Sequence, residues 1–131
     1  MKNFLLMCVV STSCTQIYSQ NNDYYCFSSG KNNILLISSE YPNIQSIKYF
    51  PYLKNIKISK PIKVVKEDMG DNAKPEIYRT MNEIVNGKVT GQYKFMSQGY
   101  LLYDVSYMNL KSKKTITFTK SNLNIKNINC L

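Results

Sequence analysis

The sequence contains no histidine and no tryptophan. The lack of histidine excludes serine–histidine and cysteine–histidine catalysis, metal sites with histidine ligands, and the side chain that most often transfers protons near neutral pH. Acidic residues are also scarce: eight Asp and Glu stand against 17 Lys and Arg, so the formal net charge is +9. This excess of positive charge favours attraction to anionic partners.

Carboxylate groups that could perform chemistry are equally scarce. Glu67, Asp68 and Asp71 cluster in one segment, but their spacing matches no EF-hand loop and indicates an acidic turn. Glu76 and Glu83 lie seven residues apart on one predicted strand, which places them on opposite faces and excludes a carboxylate pair for glycoside hydrolysis. We therefore predict no catalytic, cofactor-binding or metal-ligating residue, and a protein that is not an enzyme.

The N-terminus has the pattern of a secretory signal. Lys2 precedes the apolar run 4–10, which is too short to span a bilayer and is followed by small and polar residues. We predict a signal peptide over 1–19, with cleavage after Ser19. The alternative is a lipoprotein signal that ends before Cys14, which would then be lipidated and anchor the protein. In either case we expect export to the periplasm or beyond the cell.

Two of the four cysteines remain after a signal peptide is removed. Cys26 and Cys130 lie at opposite ends of the mature chain, and an even pair in an oxidising compartment indicates a disulfide. A redox or metal-binding thiol pair is the alternative, but neither a Cys-x-x-Cys spacing nor histidine supports it. We predict a structural disulfide that closes most of the chain.

Short hydrophobic runs separated by Gly, Pro and Asn turns predict an all-β fold. We expect one domain over 20–131, a small antiparallel meander of about eight strands that forms a barrel or a sandwich. Residues 78–85 also fit helical spacing, but Asn86-Gly87 is a strong hairpin signal and favours a strand there. Alternation along the last three long strands predicts these core positions: Val89, Gly91, Tyr93, Phe95, Tyr103, Val105, Tyr107, Ile116 and Phe118.

Lysine recurs at every third position in the middle of the chain, at Lys54, Lys57, Lys60, Lys63 and Lys66. Pro61 interrupts this stretch and resets its register, so Lys57 and Lys63 can both point outward. One interpretation is a basic surface for an anionic partner, with Tyr49 and Tyr52 as neighbouring contacts. The other is a solvated edge strand, where lysines discourage sheet-to-sheet aggregation. With a single Arg, Arg79, and no stacking motif, we expect no sequence-specific nucleic-acid binding.

Tyr25-Cys26, followed by Gly30, an apolar strand and Cys130 near the C-terminus, resembles the small periplasmic inhibitors of C-type lysozyme. The resemblance covers the two ends of the chain. It implies a disulfide-closed barrel, often lipid-anchored, that blocks a glycan hydrolase with a loop rich in Ser, Gly, Tyr and Lys. That loop has no counterpart here, since Asn86-Gly87 belongs to a hairpin turn, and the positive charge disfavours a basic lysozyme as target. No functional residue therefore carries over.

Two classes of function follow from these observations. The first is an exported, non-enzymatic binding or inhibitor module of the bacterial envelope, including an immunity protein, that recognises an acidic protein surface. The alternative is an envelope-associated structural protein whose lysines contact anionic lipid or polysaccharide. We expect neither class to need a cofactor.

Overall fold

A computed structural model of the protein describes residues 22–131. The predicted signal peptide over 1–19 and the predicted lipidation of Cys14 lie outside the described residues. Residues 22–131 include no helix of the length and hydrophobicity that a bilayer crossing requires.

The described chain consists of nine β-strands joined by turns and loops. They are β1 (Asp23–Ser28), β2 (Ile34–Ser38), β3 (Ser46–Phe50), β4 (Asn55–Glu67), β5 (Glu76–Val85), β6 (Lys88–Gln98), β7 (Leu101–Asn109), β8 (Thr115–Lys120) and β9 (Asn129–Cys130).

The first eight strands form one closed antiparallel barrel. Each strand from β2 to β7 pairs with the next along the chain, and β1 closes the ring by pairing with both β2 and β8. The short β9 adds to β1 in parallel. The predicted all-β meander is confirmed, and of the two predicted architectures the barrel is the one adopted.

The turn between β5 and β6 supports the predicted hairpin. Asn86 and Gly87 both have positive φ angles, of 50° and 76°, as a two-residue turn with the twist of a β-hairpin requires. β5 then pairs with β6 over its whole length, from Glu76 opposite Gln98 to Val85 opposite Lys88. The segment that also fitted helical spacing is therefore a strand.

The predicted disulfide between Cys26 and Cys130 is present. The two Cα atoms are 5.4 Å apart, and the bond joins residues 104 positions apart in the sequence. Cys130 lies in β9, opposite Tyr24 of β1, so the bridge ties the C-terminus to the strand that closes the barrel. Disulfides persist in oxidising compartments, so this one supports an exported protein.

Side chains fill the interior of the barrel. The core includes four aromatic residues that are almost fully buried: Phe27, Tyr93, Phe95 and Phe118. The predicted core positions Gly91 and Val105 are buried as well. In an eight-stranded barrel the interior is just wide enough for such side chains to fill.

Three predicted core positions are wrong, two of them because their strands do not keep a regular alternation. The β6–β7 register shifts at Tyr103, as at a β-bulge, so Leu102 is buried and Tyr103 is exposed. A similar shift in the β5–β6 pairing leaves Val89 exposed. Ile116, one pair from the end of the β7–β8 ladder, is also exposed. A shift of one residue exchanges the faces of every side chain beyond it.

We expect Cys130→Ser to lower the free energy of unfolding by about 2–5 kcal/mol, the usual cost of losing a native disulfide in a small secreted domain. Urea denaturation of the oxidised protein measures the change. Wild-type protein treated with a reductant is the control and should lose a similar amount. A variant as stable as the oxidised wild type would contradict the structural role of the bridge.

Candidate functional site

The five lysines predicted as a basic surface lie on or beside β4, and all of them are exposed. Lys57 adjoins Ile58, which is buried in the barrel, so Lys57 points outward. Lys63 lies opposite Thr80, and the ladder between Ile58 and Lys63 shifts twice around Pro61. These two shifts together keep Lys63 on the same outer face as Lys57. Lys66, three residues further on, lies on the opposite face of the strand.

Lys63 belongs to a row of polar side chains that crosses five strands of the outer face. Consecutive pairings join the five members of the row in the order Lys63, Thr80, Lys94, Ser106 and Thr117. The two ammonium groups therefore flank a threonine hydroxyl, and two further hydroxyl groups continue the row. Neither ammonium forms an ion pair with a carboxylate in the part of the chain that the structure describes.

Lys94 contacts the ring of Tyr78, its neighbour on β5. Its Nζ atom lies 5.3 Å from the centre of the Tyr78 ring, a distance at which the ring face attracts a cation. The Tyr78 hydroxyl donates a hydrogen bond of 2.7 Å to Glu76 Oε2. This bond raises the pKa of Tyr78 from its ordinary value of 10.0 to about 12. The Tyr78 ring and the Lys94 ammonium thus form a cation–π contact.

Three adjoining depressions of about 260, 270 and 550 Å³ open on this face. Lys94 lines all three, and four other residues each line two of them: Lys63, Tyr78, Thr80 and Ser106. We call this site the outer-face groove and define it by Lys63, Tyr78, Thr80, Lys94 and Ser106. Glu67 and Asp104 stand at its margins. Its centre carries two positive charges and neutral hydroxyl groups, which suits an anionic ligand.

The structure separates the two tyrosines that were predicted as contacts beside the lysines. Tyr52 lies in the β3–β4 turn and is 87% exposed. Tyr49 is turned into the barrel, where its hydroxyl lies 2.7 Å from that of Tyr93 and its ring packs on Phe118. Lys94 and Tyr78 were not predicted. Lys94 alternates with the buried Tyr93 and Phe95, and this alternation is a signal that could have placed it on the outer face.

A second cluster of polar side chains surrounds Glu83 inside the barrel. Glu83 is only 9% exposed, and its carboxylate accepts hydrogen bonds from Thr90 at 2.7 Å, Tyr107 at 2.8 Å and Tyr93 at 3.1 Å. Because Tyr93 donates to Glu83, the Tyr49 hydroxyl must donate to Tyr93. Every member of this cluster has a partner, so the arrangement satisfies a buried charge. We assign it a structural role.

The tyrosines of this cluster hold their protons more tightly than usual. Burial, followed by the hydrogen bond to Glu83, raises the pKa of Tyr107 to about 12, and burial raises that of Tyr49 to about 12. Both values lie above the ordinary value of 10.0. Their contribution to stability is therefore complete below pH 10 and is lost as the pH rises toward 12. The cluster is fully formed at physiological pH.

Gly91 makes room for this cluster. A Cβ atom at position 91 would overlap the ring of Tyr107, so only glycine lets that ring approach the β6 backbone and reach Glu83.

The one arginine is also built into the barrel wall. Arg79 donates hydrogen bonds to Ser97 at 3.2 Å and to Tyr41 at 3.5 Å, and its guanidinium lies 5.7 Å from the centre of the Tyr41 ring. These neighbours hold Arg79 between β5, β6 and the loop after β2.

The described residues hold no group of three or more His, Cys, Asp or Glu side chains that could bind a metal ion. Comparison of the chain with protein families, curated proteins and solved structures finds no match. The geometry of the site therefore carries the functional argument by itself.

We expect Glu83→Gln to lower the free energy of unfolding by about 1–3 kcal/mol, because one acceptor oxygen is replaced by a donor amid buried hydroxyl groups. Glu76→Gln, which alters a carboxylate on the outer face, is the matched control and should change stability by no more than about 0.5 kcal/mol. Urea denaturation at pH 7 measures both variants. Equal stability of the two would contradict the structural role of the Glu83 cluster.

Proposed function

We propose that this protein is an exported, non-enzymatic binding module of the bacterial envelope that recognises an acidic protein surface. An inhibitor of a hydrolase and an immunity protein against a toxin are the two forms of this function that suit a small rigid barrel. The observation that carries the proposal is the placement of Lys63 and Lys94 on either side of Thr80, without a carboxylate partner among the described residues.

Charge supports this proposal at long range and at the site. Without Lys2, which lies in the predicted signal peptide, the chain has 16 Lys and Arg against eight Asp and Glu, or +8. A field of this sign speeds the encounter with acidic partners. At the groove, the ring of Tyr78 lies beside the ammonium of Lys94.

The proposed localisation rests on the disulfide and on the N-terminal sequence pattern. Cys26–Cys130 suits an oxidising compartment outside the cytoplasm. We propose release into the periplasm or the medium after cleavage at Ser19, with anchoring through Cys14 as the alternative form. Anchoring would leave the barrel and its outer face unchanged.

A second candidate function is the binding of an anionic polysaccharide, and the chemistry of the groove favours it over anionic lipid. Hydroxyl and amide groups adjoin the two lysines, with Thr80, Gln92 and Ser106 lining the largest depression. Such groups can form hydrogen bonds with sugar hydroxyls. A layer of lipid headgroups depends less on hydrogen bonds of this kind. This candidate shares the groove with the first one, so the choice of probe separates them.

The double variant Lys63→Glu/Lys94→Glu should weaken binding to poly-L-glutamate at least about tenfold, because two charges at the site become repulsive. The matched control is Lys111→Glu/Lys120→Glu, which makes the same change in net charge at exposed positions away from the groove. Fluorescence anisotropy at a fixed salt concentration measures both.

Equal weakening by the two double variants would contradict a localised site and leave only general attraction. The same titration with dextran sulfate tests the polysaccharide. If wild-type protein binds dextran sulfate much more tightly than poly-L-glutamate, and only the groove variant loses that binding, the second candidate replaces the first. Vesicles that contain anionic lipid test the lipid, which we expect to bind more weakly than the polysaccharide.

A further inference from the structure

The outer half of β4 has a hydrogen-bonding partner on one side only. β4 runs over 13 residues, but β3 pairs with it only at residues 55–57. On its other side, β4 pairs with β5 as far as Glu67 opposite Glu76. In the described chain, the backbone donors and acceptors that point away from β5 along 62–67 therefore have no strand beside them. We call residues 62–67 the free edge.

The β4–β5 ladder, on the other side of this edge, is regular from Lys63 to Glu67. The register shifts around Pro61 end at Lys63, and five consecutive pairs then run from Lys63 opposite Thr80 to Glu67 opposite Glu76. Before that point Pro61 lacks an amide hydrogen, and the hydroxyl of Ser59 accepts the amide hydrogen of Asn82. A straight template of five residues is thus available, about the length of a typical strand.

Hydrophobic side chains are exposed along this edge. Ile62 is 54% exposed, Val64 is 57% exposed and Val65 is 37% exposed. Lysines alone would be enough to protect an edge from aggregation. Three β-branched side chains among the lysines add apolar surface that an incoming strand would remove from water. The edge therefore has the backbone groups and the side chains that strand addition uses.

The charge along β4 selects which strand can be added. Lys60, Lys63 and Lys66 lie on or next to the free edge, and Glu67 is the one acidic residue of β4. A second copy of this chain would bring its own lysines close to these lysines, which opposes self-association. An acidic strand would instead place carboxylates beside lysines. The same lysines therefore exclude one partner and favour another.

We propose that the free edge of β4 binds an extended acidic segment of a partner protein as an additional β-strand. This inference rests on the proposed function and names the way in which the acidic partner docks. Backbone hydrogen bonds supply part of the affinity, Val64 and Val65 supply apolar contact, and the lysines select acidic residues. The outer-face groove adjoins the edge through Lys63 and extends the contact surface.

A pair of synthetic peptides separates strand addition from attraction by charge. The probe is a ten-residue peptide of alternating Glu and Val with blocked ends. Its matched partner has the same side chains but carries N-methyl groups throughout its central half, which removes the backbone donors there. Fluorescence anisotropy should show the unmodified peptide binding at least about tenfold more tightly, because N-methylation prevents pairing with the edge.

A change in the protein provides a second readout. Val64→Ser should weaken binding of the unmodified peptide several-fold, whereas Val89→Ser, at an exposed valine away from the free edge, should leave it unchanged. Equal affinity for the two peptides, or no binding of either at about 1 mM, would overturn the inference. Neither result bears on the proposed function, which the groove variants test with a probe that needs no strand pairing.

Discussion

The structure depends on the backbone hydrogen bonds by which β1 pairs with two strands at once. Residues 24–28 pair with β2, and Phe27 and Ser28 also pair with β8, so the first strand closes a sheet whose other strands follow in chain order. The Cys26–Cys130 bond holds the C-terminus against this same strand. Closure creates a filled interior, and the filled interior fixes the outer rows of side chains on which the proposed binding depends.

Much of the fold follows from patterns in the sequence. Alternating hydrophobic residues and the Asn86-Gly87 turn predicted the strands, and the even cysteine pair predicted the disulfide. The faces of some strands were not predictable, because a bulge leaves no mark in the alternation. Tyr103 and Val89 show this: each lies where a register shift exchanges the faces of a strand. The partners of Glu83 were equally hidden, since they come from two other strands and are brought together by the pairing of β5, β6 and β7.

The candidate site was partly predictable for similar reasons. Lys57 and Lys63 were expected on one outward face, and the structure places both there. Their relation to Lys94 depends on the pairing of β4, β5 and β6, which a single strand's pattern does not contain. The free edge likewise depends on strand pairing. β4 is longer than β3, and only their pairing shows that residues 62–67 extend past the end of the neighbouring strand. The lysines that oppose pairing of this edge with a second copy of the chain can also select an acidic strand.

Amide hydrogen exchange with the unmodified acidic peptide bound tests this account most directly. If the peptide adds to the sheet, exchange should slow at alternate amides of 62–67, because those amides then donate to the new strand. The β7–β8 turn, which carries Lys111 and Lys113, should exchange as before and serves as the internal reference. Unchanged exchange along 62–67 in the saturated complex would contradict strand addition at β4.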